Sequence, residues 1–360
     1  MALRSEFAMN GRFLTQNLTG VQRYALNVAR HLNEVLDTLN ESAPILAPGG
    51  ATNPLLPRMP LVEFGPIGGH AWEQFILPAQ WRGKLLNLCN TAPAAKTKQV
   101  ICIHDANVFI KPESYSVYFR LYYRFLQNSI VRKSSHITSV SADSARQIAK
   151  YLPIPASKII VLPNGHEHAL EWKPQLAQSA PAIVNGRRSG AGRPFILVLG
   201  SRAPHKNMQL IMDIAPRLGE DGIDVIVAGG SSKIYSNDAL TGGDNVVFIG
   251  RIDDNDLAYL MGRALCLVFP SWTEGFGLPI VEAMALGCPV ISSNRASMPE
   301  VCGDAALMAA PDDPAAWVKH IETLRRSQQL RAELIAAGHH RVNRFSWKTT
   351  AEAYADLIRE

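Results

Sequence analysis

The chain has 360 residues, of which 47% are hydrophobic and 19% charged, and this length suits two globular domains better than a single core. No apolar run approaches the ~18 residues of a membrane-spanning helix, and Met1–Met9 lacks the hydrophobic centre of a secretion signal. The sequence therefore argues against a membrane-spanning protein and gives no argument for export. It leaves open whether Met1–Phe7 is an added leader, with Met9 as the natural start.

The formal charge of +5 is distributed unevenly. Residues 1–170 carry 17 Lys and Arg against 10 Asp and Glu, whereas the remainder carries 19 against 21. A basic first half suits an anionic membrane surface or a lipid diphosphate, and it equally suits a merely solvated surface. We expect no nucleic-acid partner, because the sequence has no clustered basic run and no nucleic-acid-binding motif.

The five cysteines form no CxxC pair and no Cys/His spacing typical of a metal site. Several lie in apolar, strand-like runs, where a small buried hydrophobic residue is the simplest interpretation. We therefore expect reduced thiols in a cytoplasmic protein. The cysteines are Cys89, Cys102, Cys266, Cys288 and Cys302.

Short apolar segments alternate with helix-like segments along the whole chain, which is typical of β/α units built on parallel sheets. In the first half, the sequence predicts a helix over Thr19–Leu32 with Thr19 as N-cap, and a long aromatic and basic helix over Tyr115–Lys133. The predicted strands of this half are Arg12–Leu14, Val100–Ile103, Ile137–Val140 and Ile159–Leu162.

A stretch rich in proline, alanine, glutamine and serine precedes a second set of alternations. The predicted strands of that set are Phe195–Leu199, Val225–Ala228, Val246–Ile249, Leu265–Phe269 and Pro289–Ser292. We therefore predict an N-terminal domain over residues 1–175, a linker over 176–193, a C-terminal domain over 194–344, and a helix over 345–360 that returns to the first domain. Two such domains would face a central cleft, a usual place for ligands.

The most informative motif is SWTEGFGLPIVE, Ser271–Glu282, at the junction of a buried strand and a helix. The backbone N–H groups of Gly275–Leu278 at the positive end of the helix dipole suit a phosphate. Glu274 and Glu282 would repel that phosphate, so we expect them to accept hydrogen bonds from hydroxyl groups. Glu282 would meet a ribose from the first helical turn, and Glu274 would lie nearer a transferred sugar. Ordinary acidic capping of the helix is the alternative. The candidate donor-binding residues of this motif are Glu274, Gly275, Phe276, Gly277, Leu278 and Glu282.

Arg202 and Lys206 in the segment GSRAPHKN directly follow the strand Phe195–Leu199, at the edge where open α/β sheets bind ligands. Arginine suits bidentate contact with phosphate, and lysine supplies a mobile point charge. Together they would neutralise a departing nucleoside diphosphate, although a plain surface pair is the alternative. Arg251, after the strand Val246–Ile249, is a further candidate donor-binding residue.

In the first half, the candidates are His104, which follows the strand Val100–Ile103, and Gly20, which lies in a short loop at a helix start. Asp105 would orient the His104 ring toward a donor sugar, but a lone histidine is more often a structural residue. The segments Trp72–Gln74 and Asn90–Pro93 are weaker candidates for the same cleft.

Two motifs point elsewhere but are rejected. Asp254 and Asp256 form a DxD pattern of the kind some sugar transferases use for Mg²⁺ or Mn²⁺, yet either of them more plausibly caps the following helix. No GxGxxG segment follows a strand and opens a helix, so we expect no dinucleotide cofactor.

Taken together, these motifs resemble the family-4 retaining glycosyltransferases, which have the GT-B architecture. The resemblance runs from about Gly11 to Tyr354 and is strongest in EGFGLPIVEAMALGCPVI and in SMPEVCGDA. GSRAPHKN resembles the family's basic pyrophosphate motif, with His205 where an arginine is common. TGVQRYA, IHD, SVSADSA and PNG resemble signatures of the first domain.

This resemblance implies an α/β fold of two Rossmann-like domains, in which the second binds a nucleotide sugar and the first an acceptor. Arg202 and Lys206 would hold the diphosphate, the Gly275–Leu278 N–H groups would support phosphate and sugar, Glu282 would bind ribose, and Glu274 and His104 would hold sugar hydroxyls. The proposed catalytic set is His104, Arg202, Lys206 and Glu274. No cofactor and no metal ion would be required.

The implied activity is that of a retaining hexosyltransferase acting on a growing, lipid-linked cell-surface glycan such as lipopolysaccharide. Mannose from GDP-mannose is the first expected donor and glucose from UDP-glucose the next. Such an enzyme would work in the cytoplasm, with peripheral association at the inner membrane face. The alternatives are a nucleotide-sugar epimerase of the same fold and a non-catalytic nucleotide-sugar-binding subunit.

The aromatic residues of the helix Tyr115–Lys133 admit two interpretations. Beside Arg120 and Arg124 they suit contact with lipid, whereas packing in the core is the commoner role of such residues. The residues concerned are Tyr115, Tyr118, Phe119, Tyr122 and Tyr123.

Overall fold

The computed structural model describes residues 6–110, 112, 116–187, 192–200, 203–230 and 243–360. The chain divides into two compact units. The first unit comprises Met1–Gly165 together with Ser346–Glu360, and the second comprises His166–Phe345.

The first unit is built on a seven-stranded sheet in which all strands run parallel, in the order β3-β2-β1-β4-β5-β6-β7. Five of the strands are buried along most of their length, as expected when helices cover both faces of a parallel sheet. The strands are β1 (Phe7–Asn10), β2 (Ile45–Ala47), β3 (Leu61–Glu63), β4 (Lys84–Asn87), β5 (Gln99–Cys102), β6 (His136–Ser139) and β7 (Ile159–Val161).

Helices connect these strands, and short helical turns line their carboxyl ends. Thr19 is the N-cap of the first long helix, and Gln22 completes a capping box with it. The helices are α1 (Gly20–Thr38), α2 (Gly69–Ala71), α3 (Leu77–Gln80), α4 (Asn107–Ile110), α5 (Val117–Lys133) and α6 (Ala142–Tyr151), and a π-helical turn, Trp72–Ile76, joins α2 to α3.

The C-terminal helix packs in the first unit, as the sequence predicts. The Tyr354 hydroxyl lies 3.0 Å from that of Tyr24 on α1 and 2.7 Å from that of Thr138 on β6. The Thr350 hydroxyl donates to the Pro163 carbonyl at 2.7 Å. Because these residues are almost fully buried, the helix, Trp347–Arg359, completes the core of this unit.

The second unit is built on a six-stranded parallel sheet in the order β10-β9-β8-β11-β12-β13. Its aliphatic core lies between the sheet and the helices around Ile211, Trp317 and Ile321. The strands are β8 (Phe195–Leu199), β9 (Asp224–Ala228), β10 (Val246–Gly250), β11 (Cys266–Phe269), β12 (Val290–Ser293) and β13 (Leu307–Ala309). The helices are α7 (Glu167–Leu170), α8 (Ala180–Asn185), α9 (Met208–Glu220), α10 (Asp254–Met261), α11 (Leu278–Ala285), α12 (Met298–Cys302), α13 (Pro314–Arg326) and α14 (Gln328–Val342), and α15 is the C-terminal helix Trp347–Arg359 of the first unit.

The segment predicted as a linker is held within the second unit. Asp256 accepts hydrogen bonds from the Ser179 and Ala180 backbone N–H groups, both at 2.9 Å, and so caps α8 from outside. Arg187 Nη1 lies 2.8 Å from Asp224 Oδ2 in a buried ion pair. The division between the units accordingly falls at Gly165 and His166, earlier than the predicted domain end at residue 175.

Several predicted details differ from the structure. The predicted strand Arg12–Leu14 is wrong: these residues form a 3-10 turn, Arg12–Thr15, and the strand is Phe7–Asn10 just before it. The α10 N-cap is Asp253, which accepts from the Asp256 N–H at 2.8 Å, and not Asp254 or Asp256.

On α5, Tyr118 is 88% exposed, so the interpretation that it packs in the core is wrong. Tyr115 lies outside the described residues. All five cysteines are free thiols. Within the described residues, no helix combines the length and the apolar character needed to cross a bilayer.

Candidate active site

The motif Ser271–Glu282 forms the connection from β11 to α11 in the second unit. The strand is fully buried, and the loop that follows lies at the carboxyl edge of the sheet, where parallel sheets bind ligands. Gly277 is the helix N-cap with φ +100°, a left-handed conformation that glycine adopts without strain. Pro279 follows at the second helical position, where no backbone N–H is required. The N-terminus of α11 therefore lies at this loop, the position in which its N–H groups are predicted to bind an anion.

Glu274 and Lys206, predicted separately, contact each other directly. Lys206 Nζ donates to Glu274 Oε1 at 2.7 Å, and the two side chains are 24% and 13% exposed. The Lys206 ammonium also lies 5.7 Å from the centre of the Phe269 ring. An ammonium group has three N–H donors, so Lys206 can keep this ion pair while it binds a phosphate oxygen.

The loop that carries Lys206 is fastened to the loop that carries Glu274. Asn207 adopts a left-handed conformation with φ 55°, and its side chain donates to the carbonyls of Pro270 and Pro311 at 3.3 and 2.8 Å. The Trp272 N–H donates to the His205 carbonyl at 2.8 Å. These bonds fix the two loops as one surface. Arg202 lies outside the described residues.

Ser297 fixes the Glu274 loop from beneath. Its hydroxyl is buried and lies 3.0 Å from both the Glu274 and the Phe276 carbonyl oxygens. The Phe276 ring packs edge-on against Phe345 at 5.4 Å between centres. The segment SMPEVCGDA, which begins at Ser297, was recognised from the sequence, but no role was predicted for Ser297 itself.

Glu282 is buried and bound to a histidine. Its Oε1 lies 2.9 Å from His168 Nε2, and the two side chains are 5% and 3% exposed. Because α11 begins at Leu278, Glu282 is its fifth residue and lies in the second turn, so the predicted position in the first turn is wrong. His168 was not predicted from the sequence, because only the fold brings α7 against α11.

The remaining donor candidates of the second unit differ in exposure. Phe276, Gly277 and Leu278 are buried, Gly275 is half-buried, and Arg251 is exposed after β10. Gly275 lies in the loop before α11, and Leu278 is the first residue of that helix. Arg251 lies on a different loop of the same unit, after β10.

His104 lies in the first unit and is almost fully buried. Its Nε2 lies 2.8 Å from the Leu88 carbonyl, its backbone N–H donates to Asn90 Oδ1 at 2.7 Å, and its ring contacts Tyr24 edge-on at 4.9 Å. Burial lowers the pKa of His104, but Cys102, the Leu88 carbonyl and Asp105 together raise it above its ordinary value. The imidazole is thus oriented by Leu88 and Cys102.

Gly20 is the first residue of α1 and is exposed. A side chain built there would meet nothing within 4 Å, so packing does not require glycine at this position.

Asp254 and Asp256, the two acids of the DxD pattern, lie in the first turn of α10. Across the described residues, no group of three or more His, Cys, Asp or Glu side chains is arranged to hold a metal ion. Asp256 is instead committed to the N-terminus of α8.

Comparison with known proteins shows which proteins the chain is similar to. Residues 182–341 match the family described as glycosyl transferases group 1. The chain is 29% identical over 270 residues to the O-antigen chain mannosyltransferase B of Escherichia coli, an alignment that covers 71% of this chain and 68% of that protein. It is 30% identical over 233 residues to the O-antigen chain mannosyltransferase RfbU of Salmonella typhimurium, covering 63% of this chain and 61% of that protein.

Among solved structures, Anabaena Alr3699/HepE in complex with UDP-glucose superimposes with a TM-score of 0.71 at 18% sequence identity, over 98% of each chain. This likeness concerns the fold, two Rossmann-like parallel-sheet domains, and it confirms the predicted fold class. Over residues 182–341 the chain is thus similar to the group 1 glycosyltransferases, and these findings together identify it as a transferase with the GT-B fold.

Proposed function

We propose that the protein transfers a mannosyl residue from GDP-mannose to a growing, lipid-linked polysaccharide, with retention of the anomeric configuration. The observation that carries the proposal is the Lys206–Glu274 ion pair at the turn between β11 and α11, which sets a cation and a hydroxyl acceptor beside a helix N-terminus. The named relatives support the choice of sugar and acceptor, since both are O-antigen chain mannosyltransferases. UDP-glucose is the second donor to test, because the Anabaena neighbour was solved with it.

Different residues of the site suit different groups of a nucleotide sugar. The N–H groups of the Gly275–Leu278 turn and Lys206 would bind phosphate oxygens, because both carry positive charge or partial charge. Glu274, beside Lys206, would accept hydrogen bonds from hydroxyls of the transferred sugar. Glu282, oriented by His168, would accept from the ribose. In this arrangement the carboxylates bind hydroxyls, and the diphosphate is left to cationic groups.

The reaction needs no group beyond the two substrates. The bond between the anomeric carbon and the diphosphate oxygen breaks, and the acceptor oxygen bonds to that carbon on the same face. The acceptor proton passes to the leaving phosphate oxygen, which gives the glycosylated acceptor and a nucleoside diphosphate. Arg202 and Lys206 would stabilise the charge that develops on the leaving group, and His104 would position a sugar hydroxyl. The enzyme contributes electrostatics and positioning rather than a covalent intermediate.

The test is turnover with a panel of nucleotide sugars in the presence of EDTA, with octyl α-D-mannopyranoside as acceptor. We expect GDP release from GDP-mannose and an α-linked product by NMR, and a Glu274→Ala variant that has lost most of this activity. Consumption of no donor, or a Glu274→Ala variant as active as the parent, would contradict the proposal. A changed donor without an acceptor product would support an epimerase, and binding without turnover a non-catalytic subunit.

Membrane association is the second part of the proposal, and α5 carries it. Its outer face exposes Val117, Tyr118, Leu121 and Phe125 at helical spacing, with exposed fractions of 57 to 88%. Arg124 is exposed on the same helix, and Arg132 and Lys133 lie in its last turn. Apolar side chains flanked by cations suit insertion at the surface of an anionic bilayer.

A liposome sedimentation assay tests this surface. We expect the parent to sediment with vesicles that contain phosphatidylglycerol and to remain in solution with pure phosphatidylcholine. The double variant Arg120→Glu/Arg124→Glu and the variant Tyr118→Ser/Phe125→Ser should both lose binding, while Leu55→Ser, which removes an 80% exposed leucine elsewhere in the same unit, should keep it. Unchanged binding of the α5 variants would disprove the membrane role.

A further inference from the structure

Glu73 in the first unit is a buried carboxylate, and its hydrogen bonds go to only one of its two oxygens. Glu73 Oε1 accepts hydrogen bonds from Asn10 Nδ2 at 2.8 Å, Thr91 Oγ1 at 3.1 Å and Arg12 Nε at 3.2 Å. The Glu73 side chain is 1% exposed and that of Arg12 7%. Asn10 ends β1, and Arg12 and Thr91 follow β1 and β4, so the donors to Glu73 lie at the carboxyl edge of the parallel sheet, the edge where ligands bind in such sheets.

The other carboxylate oxygen has no such set of donors. Among the described residues, Glu73 Oε2, His70 Nδ1 and the Tyr122 hydroxyl make no hydrogen bond of normal length, although the first two face each other 3.5 Å apart as a long ion pair. All three atoms are buried. Buried polar atoms without partners are rare in folded proteins, and a group of three around one carboxylate indicates a place where polar groups of a ligand are expected.

The backbone at this place is unusual as well. Glu73 lies in the π-helical turn Trp72–Ile76, a conformation that is rare and often occurs at functional sites. Asn90, in the loop after β4, has φ 64°, in the left-handed region that few residues other than glycine adopt. Such conformations persist where surrounding contacts impose them, and they concentrate at ligand sites.

We propose that Glu73, His70 and Tyr122 form a binding site for a sugar residue of the acceptor glycan. This inference rests on the proposed function for its substrate class. Glu73 Oε2 accepts a hydrogen bond from one sugar hydroxyl, and the Tyr122 hydroxyl and His70 Nδ1 bind that hydroxyl or its neighbour. Arg12 and Thr91 hold the carboxylate in place through its other oxygen and act as positioning residues.

The aromatic side chains around the carboxylate fit the same class of ligand. The His70 ring lies 5.2 Å from that of Tyr122 and 5.9 Å from that of Tyr123, and Phe119 stacks on Tyr123 at 4.1 Å. A sugar offers both hydroxyl groups for Glu73 and an apolar C–H face for such rings. The His70 side chain is 35% exposed and pairs with the carboxylate at 3.5 Å, so a change of its rotamer would open Glu73 Oε2 to a sugar hydroxyl.

The charges at this site argue against an anionic ligand. Burial raises the pKa of Glu73, but His70, Arg12 and Asn10 lower it below its ordinary value, so the side chain is ionised at neutral pH. Its charge is balanced by Arg12, which leaves no net positive charge for a phosphate. A neutral ligand with several hydroxyl groups is therefore favoured over the nucleoside diphosphate.

The test uses Tyr122→Phe and His70→Gln, which keep the Arg12–Glu73 pair intact; Glu73→Gln would leave Arg12 buried without its counterion and could unfold the protein. Saturation-transfer NMR measures binding of octyl α-D-mannopyranoside, octyl α-D-glucopyranoside and octyl α-D-galactopyranoside to each full-length protein. We expect the parent to bind at least one glycoside and each variant to bind it about five- to tenfold more weakly, as for the loss of one hydrogen bond. Tyr151→Phe, on α6 in the same unit, should bind like the parent.

Two further readouts separate this site from the donor site. In Tyr122→Phe, KM for the acceptor should rise with little change in kcat, and GDP binding measured by calorimetry should equal that of the parent. If the parent binds none of the three glycosides, or if both variants bind them like the parent, the inference is wrong. If the glycosides bind at this site but no nucleotide sugar is consumed, the site stands and the proposed transfer activity fails.

Discussion

Lys206 Nζ and Glu274 Oε1 lie 2.7 Å apart, so the cation and the carboxylate that the sequence suggests as separate donor ligands form one ion pair. The pair is partly buried, and solvent therefore screens it less than an exposed pair. Removal of either side chain would leave the other without its counterion and free to change position. Their contributions to catalysis are expected to be coupled.

A double-mutant cycle measures that coupling. We expect Lys206→Met and Glu274→Gln each to lower kcat/KM by about 10²–10³, the usual loss for one stabilising contact of a transition state. The double variant should lose less than the product of the two single losses, because each single variant already breaks the pair. Rates of GDP release give the cycle, and Lys319→Ala, an exposed lysine of the same unit, is the matched control. Strict multiplicativity would show that the two residues act independently.

The contact of His168 with Glu282 predicts a positioning role for a histidine. His168→Ala removes the hydrogen bond to Oε1 of a buried carboxylate, which costs about 1–3 kcal/mol of stability. We expect a lower free energy of unfolding and about tenfold weaker GDP binding by calorimetry. His168→Asn, which retains an N–H donor, should recover part of both. His340→Ala, at an exposed position, serves as control, and GDP binding unchanged in His168→Ala would exclude the positioning role.

The bonds of Ser297 to two loop carbonyls predict a different kind of defect. Ser297→Ala removes the donor to the Glu274 and Phe276 carbonyls, at a cost of about 1–3 kcal/mol, and loosens the turn that should hold the diphosphate. KM for the donor should rise several-fold, with KM for the acceptor unchanged. Steady-state kinetics with each substrate varied in turn check this, and Ser42→Ala, at an exposed serine, is the control. Equal increases in both KM values would point to a general loss of structure.

The left-handed conformation of Gly277 predicts that a side chain at this position would strain the turn. At φ +100°, an alanine is strained by about 1–2 kcal/mol, and its Cβ would lie 3.0 Å from Ile280 Cδ1. Gly277→Ala should therefore lower the melting temperature and the affinity for GDP together. Gly49→Ala, at an exposed glycine with open space around it, should change neither. A Gly277→Ala protein as stable as the parent would mean that the turn tolerates another conformation.

The surroundings of His104 predict that the stability of the first unit depends on pH. Its pKa is raised in the folded protein because Cys102, the Leu88 carbonyl and Asp105 outweigh the opposing effect of burial. The protonated form then stabilises the fold fully below the unfolded pKa of about 6.5, and this contribution is lost as the pH rises through the folded pKa. NMR titration of the His104 ring should give a pKa above 6.5 in the parent and a lower one in Cys102→Ser. A pKa unchanged by Cys102→Ser would rule out Cys102 as the cause.

The sequence predicted the fold where segments are long and strongly apolar. FILVL became β8 with the predicted bounds, and the helix with Thr19 as N-cap exists, because burial and capping are local signals. Three-residue strands such as Ile45–Ala47 and Leu307–Ala309 were not predicted, since so short a segment is defined by its neighbours in the sheet. Phe7–Asn10 was not predicted, and Arg12–Leu14 was predicted as the strand in its place.

The candidate site was predictable to the extent that it is continuous in sequence. The turn that carries Glu274 was recognised from its glycines, proline and carboxylates. His168 was not, because it lies 114 residues from Glu282 and only the packing of α7 on α11 brings them together. The role of Asp256 was missed for the same reason: its carboxylate caps α8, a helix that lies 77 residues earlier in the chain.

The return of α15 to the first unit has a consequence for biosynthesis. Tyr24 and Thr138 lie in the first half of the chain, yet the hydroxyl that joins them belongs to Tyr354. At about 5–20 residues per second, a ribosome needs roughly 10–40 s to make the intervening second unit. During that time Tyr24 and Thr138 lack the Tyr354 hydroxyl, so the first unit can complete its core only after the last helix of the chain has been made.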